Sequence, residues 1–352
     1  MNDMNREKWI KLIKNGAFFC ILFVVTFYLL FRDKNMGSIL QLASKVNPYF
    51  LILAIACMGT FVACEAMNIR RTLNLYQYES TFFTAIRYAF VGFFFSSITP
   101  SASGGQPMQV YYMHKDGIEI SHSVLALMIE FASFQFVTIS AGIIGFFSNI
   151  DFFTQQMSGL TYVLILGLSL NCLVLAALVL AIFSKKIPGM VIHGVTCMIK
   201  KMGYKKWEQF QKKAEEQILL YQQGAQTLKK NKGKVIQIIL TTCVQILAYH
   251  SIPYLIYLSF GFQEHSFGIF FAAQAVLYVT VSAIPLPGAV GAGESGFLLL
   301  FASLFPLGFV DSAMLLSRGI SFYLFLVMSG LFVGIRAKAI HAKTPSLKIT
   351  GE

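Results

Sequence analysis

Hydrophobic residues occur along this chain in runs long enough to cross a lipid bilayer. An apolar helix needs about 20 residues to span the hydrocarbon core. Six runs approach or exceed that length: Asn15–Phe31, Tyr49–Met67, Val124–Phe147, Leu160–Phe183, Val235–Phe260 and Ser312–Ile335. The pattern predicts an all-α polytopic membrane protein with six full spans.

Two further apolar stretches are interrupted in their middle. Tyr88–Met113 breaks at Ile98–Pro107 (ITPSASGGQP), and Phe267–Phe305 breaks at Ile284–Glu294 (IPLPGAVGAGE). The segment before the first break, Tyr88–Thr99, would give only about 18 Å of helix, too short for a core of about 30 Å. Broken segments at matching places in two halves of a membrane protein are typical of a transporter's midplane binding site.

Composition and charge agree with a membrane location. The chain is 56% hydrophobic and 12% charged, whereas soluble domains carry about twice that charge. The net charge is +12, and residues 184–234 hold twelve Lys against three Glu. Basic loops lie in the cytoplasm and attract anionic lipid. We therefore expect 184–234 to be a cytoplasmic loop that meets anionic inner-leaflet lipids, and we expect no nucleic-acid partner.

The distribution of Lys and Arg also predicts the topology. Residues 1–14 and 336–352 are basic and are expected in the cytoplasm, whereas the loops 148–159 and 261–266 lack Lys and Arg. All six spans satisfy the positive-inside rule only if each interrupted stretch enters and leaves the membrane on the same side. We therefore predict two re-entrant hairpins, 88–113 from the cytoplasm and 267–305 from outside.

The predicted elements form an internal repeat. Residues 15–159 and 160–335 each contain two spans, a hairpin and a third span, and an odd number of spans inverts the second half. Gly105 and Glu130 are 25 residues apart, as are Gly293 and Arg318. The spacing predicts that each hairpin is followed by one intramembrane charge, of opposite sign in the two halves.

These two charges are candidate functional residues. A carboxylate such as Glu130 is costly at bilayer depth unless it is paired, protonated or hydrated. Glu130 is therefore either a functional carboxylate or a structural partner of Arg318 or of a hairpin backbone. Arg318 suits a phosphate as well as a carboxylate, so phosphate contact and pairing with Glu130 both stay open.

The hairpin tips supply the other candidates for substrate binding. Converging backbone N–H groups and helix N-termini attract anions, although Pro and Gly can also serve only to turn the chain. Glu294 begins the second half of its hairpin, where it would stabilise a helix N-terminus or carry a coupled proton. The remaining tip candidates are Thr99, Ser101, Ser103, Gly104, Gly105, Gln106, Gln109, Gly291 and Gly293.

The basic loop contains a predicted amphipathic helix. Its apolar residues recur every three or four positions: Trp207, Phe210, Ala214, Ile218, Tyr221, Ala225 and Leu228. This face either lies on the inner leaflet or packs against the bundle. The chain has no Walker or H-E-x-x-H motif, and its six His do not cluster, so we expect no cofactor, no metal site and no ATP hydrolysis.

The same residues resemble a known family, the lysylphosphatidylglycerol synthase/flippase transmembrane domain. The resemblance covers nearly the whole chain and is carried by Thr99–Pro107, Glu130, Pro285–Glu294 and Arg318. Many members carry an Arg shortly after the paired Gly and another after the intramembrane Glu. This chain has Gln109-Val110 and Phe131 there, which puts an arginine-based headgroup clamp on the first hairpin in doubt.

The resemblance implies a lipid translocase of a bacterial plasma membrane. Its cargo would be an anionic or aminoacylated phospholipid such as lysylphosphatidylglycerol. Family members that synthesise this lipid append a soluble transferase domain, and the resemblance here covers the membrane region alone, so we expect no catalytic activity in this chain. The alternatives are a phosphatidylglycerol lysyltransferase, alone or with a separate catalytic subunit, and a transporter of small solutes or ions. Association of identical chains stays open.

Overall fold

A computed structural model describes residues 44–156, 161–184, 207–282 and 284–343, with isolated positions between 28 and 42 and between 189 and 196. Apart from Tyr28, the predicted first span and the segment 1–14 lie outside these residues. The described part of the chain is helical and contains no β-strand.

The described ranges contain twelve α-helices, numbered here in chain order. They are α1 Pro48–Leu75, α2 Phe82–Ile98, α3 Gly105–Lys115, α4 Ile120–Ser148, α5 Ile150–Gln156, α6 Thr161–Phe183, α7 Trp207–Lys230, α8 Lys232–Ser259, α9 Phe267–Val281, α10 Ala292–Leu300, α11 Val310–Arg318 and α12 Phe325–Lys343. A π-helical segment, Gly319–Leu324, joins α11 to α12 without a break in the rod.

Five described helices are long and apolar enough to cross a membrane. They are α1, α4, the Tyr162–Phe183 part of α6, α8 and the continuous rod Val310–Gly334. They coincide with five of the six predicted spans, which confirms an all-α polytopic membrane protein. The predicted outer loop 148–159 contains the short helix α5.

Both interrupted stretches fold as pairs of short helices packed against each other. Hairpin 1 consists of α2 and α3, and hairpin 2 of α9 and α10. Hairpin 1 begins at Phe82, earlier than predicted, because Thr81 caps the helix by accepting a hydrogen bond from the Thr84 N–H at 3.2 Å. Hairpin 2 ends at Leu300, since turns occupy 301–309. With 17 residues, α2 rises about 26 Å, still less than the bilayer core.

The second spans of the two halves, α1 and α8, run antiparallel along a shared interface. The Asn68 amide donates to Thr242 Oγ1 at 3.0 Å, and the rings of Phe61 and Tyr249 lie 5.2 Å apart. Equivalent helices of opposite direction are the geometric signature of an inverted repeat. The structure therefore agrees with the inversion expected from the odd number of spans.

Each hairpin is held by the other half of the chain. The first leg of hairpin 1, α2, packs on α12, and the first leg of hairpin 2, α9, packs on α4. In both halves, the first leg of the hairpin thus packs on the third span of the other half. The two interruptions contact each other.

The amphipathic helix α7 packs its apolar face against the bundle. Tyr221 and Leu228 are buried in one cluster with Leu125 of α4 and Ile182 of α6. The Tyr221 hydroxyl donates to the Ala181 carbonyl at 3.0 Å. Of the two alternatives, the structure shows packing against the bundle for the described part of this face, while the side chains of Trp207 and Phe210 lie outside the described residues.

Candidate functional site

The two hairpins turn with the same backbone conformation. Tip 1, Pro100–Ala102, and tip 2, Pro287–Ala289, are both single 3₁₀ turns that begin with Pro. The next two residues of each turn have positive φ angles, 52° and 54° in tip 1 and 58° and 51° in tip 2. The tips contact each other. The fold therefore joins the two interruptions that the sequence places nearly two hundred residues apart.

The match between the tips changes the predicted relation between the two charges. Pro100 and Pro287, the equivalent first residues of the tips, are 187 positions apart. Gly105 and Gly293 are 188 positions apart, as are Glu130 and Arg318. The two spacings run between different points of their helices: Gly105 and Glu130 are the first residue of α3 and the eleventh of α4, whereas Gly293 and Arg318 are the second residue of α10 and the ninth of α11. Equal spacing thus does not make Glu130 and Arg318 structural equivalents.

At tip 2, the Glu294 carboxylate is fully buried and accepts three hydrogen bonds. Its Oε2 accepts from the Gly291 N–H at 2.6 Å. Its Oε1 accepts from Arg318 Nε and from the Tyr323 hydroxyl, both at 2.8 Å. Glu294 therefore stabilises the N-terminus of α10, which is one of the two roles predicted for it. It also forms an ion pair with Arg318.

Arg318 closes over tip 2. Its Nη2 donates to the Gly288 carbonyl at 3.1 Å, and its guanidinium carbon lies 4.6 Å from the centre of the Phe322 ring. The π-helical segment brings Tyr323, five residues on, to the same carboxylate. The carboxylate that pairs with Arg318 is Glu294, so pairing with Glu130, one of the two alternatives left open for Arg318, does not form in the structure.

Two glycines, Gly288 in tip 2 and Gly293 in α10, lie close to Phe322 and Arg318 respectively. A Cβ on Gly288 would come within 2.2 Å of Phe322 Cζ, and the φ of Gly288 is 58°. A Cβ on Gly293 would stand 3.4 Å from the Arg318 guanidinium carbon. The Phe322 ring therefore excludes a side chain at Gly288, whereas a Cβ at Gly293 would make only an ordinary van der Waals contact with the arginine.

At hairpin 1, the buried Gln109 amide links two other elements. Its Nε2 donates to Glu65 Oε1 and to the Tyr88 carbonyl, each at 3.1 Å. Gly92 faces this amide at a distance that admits no side chain.

The ring of Phe61 on α1 lies 6.1 Å from that of Phe134 on α4, and Tyr76 stacks on His122. The two helices therefore run antiparallel, in a register that places Glu65 opposite Glu130. Glu130 therefore has Glu65 as its charged neighbour.

Tip 1 divides the remaining candidates into two groups. Thr99 Oγ1 donates to the Phe95 carbonyl at 2.6 Å and accepts from the Gly104 N–H at 2.9 Å. Gly105 is buried against Ser96. Thr99, Gly104 and Gly105 thus build the turn. The exposed polar side chains of the tip are Ser101, Ser103 and Gln106.

Two tyrosines pack together between the halves of the bundle. The ring centres of Tyr249 on α8 and Tyr278 on α9 lie 5.8 Å apart. Tyr278 also packs on Phe134 of α4, with ring centres 5.8 Å apart, and Tyr249 packs on Phe61 of α1 at 5.2 Å. These rings join α1 and α4 to hairpin 2.

Glu65 was not among the sequence-predicted site residues. The apolar run in the sequence ends at Met67, two residues after Glu65. The run alone therefore places Glu65 near a membrane surface. The helix continues to Leu75, so Glu65 lies ten residues from its end. The argument that singled out Glu130, a carboxylate inside an apolar run, applies equally to Glu65.

These features define a class: an α-helical membrane protein with two interrupted hairpins in an inverted repeat. The sequence matches the family described as the lysylphosphatidylglycerol synthase TM region over residues 16–329, and the chain belongs to that family.

Its relatives include uncharacterised archaeal proteins. A UPF0104 membrane protein of Archaeoglobus fulgidus is 23% identical over 269 residues, which are 74% of this chain and 79% of that protein. A UPF0104 membrane protein of Methanothermobacter thermautotrophicus is 26% identical over 156 residues, 43% of each chain.

Proposed function

We propose that the chain is a translocase that moves an anionic or aminoacylated phospholipid between the leaflets of a bacterial plasma membrane. Lysylphosphatidylglycerol is the first candidate because the family is described by the synthesis of that lipid. Both termini would lie in the cytoplasm, by the positive-inside rule.

The exposure of tip 1 is the observation that carries this proposal. Ser101, Ser103 and Gln106 are exposed at the end of a helix too short to cross the bilayer. Irregular polar backbone at membrane depth is tolerated only where protein covers it or where it lines a water-filled cavity. Tip 2 meets the first condition, since Pro287 is buried. Tip 1 is left to line a hydrated cleft.

The cleft offers a headgroup both hydrogen bonds and charge. The polar side chains of tip 1 would contact the headgroup while the acyl chains stay in the bilayer. Arg318 contacts tip 2, which touches tip 1, and its guanidinium suits a phosphate. A phosphate near Arg318 would compete with Glu294 for the same donors, which supplies a way to alternate between empty and loaded states.

A leaflet-accessibility assay tests the proposal. The purified chain is reconstituted with trace amounts of headgroup-labelled phosphatidylglycerol, lysylphosphatidylglycerol or phosphatidylcholine, and a membrane-impermeant reagent reports the outer-leaflet fraction over time. We expect faster equilibration of the first two lipids than in protein-free vesicles, and loss of that rate in Glu130→Gln. The matched control is Glu264→Gln, an exposed carboxylate on the loop before hairpin 2, which should behave as wild type.

Three results would contradict the proposal. One is a rate equal to protein-free vesicles for all three lipids, and another is a wild-type rate in Glu130→Gln. The third is uptake of a hydrophilic solute with no lipid movement, which would identify a solute transporter instead.

A further inference from the structure

Glu65 and Glu130 stand opposite each other on the antiparallel helices α1 and α4, in the register set by the contact of Phe61 with Phe134. The Gln109 amide holds Glu65 Oε1 at 3.1 Å and is itself fixed by the Tyr88 carbonyl. Gly92 leaves the space that this amide occupies. The orientation of one carboxylate is therefore built by hairpin 1, and the other carboxylate comes from the span that follows it.

A third acceptor lies at the same level without a donor. Gln245 on α8 is 1% exposed, and its Oε1 has no hydrogen-bond partner among the described residues. In the antiparallel register of α1 and α8, Asn68 meets Thr242 and Phe61 meets Tyr249. The same register places Gln245 opposite Glu65. A buried carbonyl without a donor destabilises the fold, and a donor at this site would remove that cost.

Both cations on α1 are engaged elsewhere. Arg70 Nε donates to the Ser80 carbonyl at 2.9 Å. Arg71 donates to Asn68 Oδ1 at 2.9 Å and to Thr241 Oγ1 at 3.1 Å. Two carboxylates that share a site of low dielectric cannot both ionise without a large cost. The cluster thus holds acceptors in excess and lacks one positive charge.

We propose that Glu65 and Glu130 bind one exchangeable proton between them. The proton bonds to one carboxyl oxygen, and the resulting O–H donates to the other carboxylate or to Gln245 Oε1. Uptake removes one proton from water and release returns it, so no other bond changes. A metal ion is disfavoured because no group of three or more His, Cys, Asp or Glu among the described residues is arranged to hold one.

Three other titratable groups lie near this region on α8 and α9. Tyr278 packs on Phe134, one helical turn from Glu130, and on Tyr249. His250 is fully buried beside Tyr278, with ring centres 6.1 Å apart, and neither of its ring nitrogens has a partner in the described part of the chain. The test must therefore distinguish a protonated carboxyl from an imidazole or a phenol.

Infrared difference spectroscopy of the purified chain during a pH titration makes that distinction. A protonated carboxyl has a C=O stretch that shifts in D₂O and that imidazole and phenol lack. We expect one such band in the wild type, complete loss of it in Glu65→Gln/Glu130→Gln, and a midpoint displaced by about one pH unit or more in each single variant, because interacting sites titrate as a pair. Glu264→Gln should leave the band unchanged.

Several outcomes would overturn the proton site. One is a band that survives in the double variant. Another is a pair of single-variant titrations that add up to the wild-type curve, which would show that the two carboxyls titrate independently. The third is loss of the band when sodium replaces choline at constant pH, which would indicate a sodium site.

The link from this proton to transport rests on the proposed function. Lipid accessibility measured with and without an imposed proton gradient tests that link separately. If the band behaves as expected and no lipid moves, the translocase proposal fails while the proton site stands.

Discussion

Arg318 Nε lies 2.8 Å from Glu294 Oε1, and this ion pair fastens hairpin 2 to the last span. Glu294 is fully buried and Arg318 is 13% exposed, so neither charge is stabilised by bulk water. Removing one partner of such a pair is costly because it leaves an uncompensated buried charge. The pair therefore has a structural role at tip 2 in addition to any contact with a headgroup.

The first prediction concerns this pair. Glu294→Gln and Arg318→Met should each lower the free energy of unfolding in detergent by about 3–5 kcal/mol. The double variant should lose much less than the sum, because no unpaired charge is left. Denaturant unfolding of the four proteins gives the coupling energy directly. Additive losses would show that the pair contributes nothing beyond its separate side chains.

The second prediction separates a steric clash from backbone strain at tip 2. Gly288→Ala places a Cβ within 2.2 Å of Phe322 Cζ at a φ of 58°, whereas Gly308→Ala adds a Cβ with nothing within 4 Å at a φ of 86°. Backbone strain costs each about 1–3 kcal/mol. Gly288→Ala should lower the unfolding temperature further, and Phe322→Leu in the same chain should restore part of the difference. Equal losses in the two alanine variants would exclude the clash.

A third prediction tests the support of Glu65 by Gln109. Gly92→Ala would place a Cβ 2.3 Å from Gln109 Nε2, while Gly59→Ala on α1 meets nothing within 4 Å. Gly92→Ala should cost about 1–3 kcal/mol because the amide must leave its two acceptors. Gly59→Ala should be neutral or stabilising by up to about 1 kcal/mol.

The double variant Gly92→Ala/Gln109→Ala gives the decisive comparison. It should lose less than the two single variants together, because the shorter side chain no longer competes with the new methyl group. Unfolding in detergent measures all four proteins, and strict additivity would contradict a direct conflict between the two positions.

The fourth prediction is a loss of stability at alkaline pH. Burial raises the pKa of Tyr221 to about 12, against about 10 for a free tyrosine. Between these values the unfolded chain loses its proton first, so the stability that Tyr221 contributes is complete below about pH 10 and falls as the pH rises toward 12. The loss should reach about 2 kcal/mol and should be absent in Tyr221→Phe.

Unfolding of wild type and variant in detergent at about pH 9 and pH 11 checks this slope. Tyr162→Phe is the matched control, because the Tyr162 side chain is 82% exposed. A wild-type slope equal to that of Tyr221→Phe would show that the Tyr221 hydroxyl does not remain buried.

Much of the fold could be predicted from local sequence. Runs of apolar residues determine where spans lie because lipid leaves the backbone no partner but the helix itself. Pro100 and Pro287 mark the breaks for a similarly local reason, since Pro lacks a backbone N–H. Even the inversion of the two halves followed from counting spans and charges, and the antiparallel pairing of α1 with α8 agrees with it.

The partners of the charged residues could not be predicted in this way. Pairing of Arg318 with Glu130 was one of two alternatives that the sequence left open, and the π-helical segment and tip 2 direct Arg318 to Glu294 instead. Glu65 became a candidate only when α1 proved to extend to Leu75. The sequence by itself determined the spans, the breaks and the class of protein, because these depend on the residues next to each other in the chain. Only the tertiary structure decided which charges meet, because ion pairs and shared protons depend on contacts between helices distant in sequence.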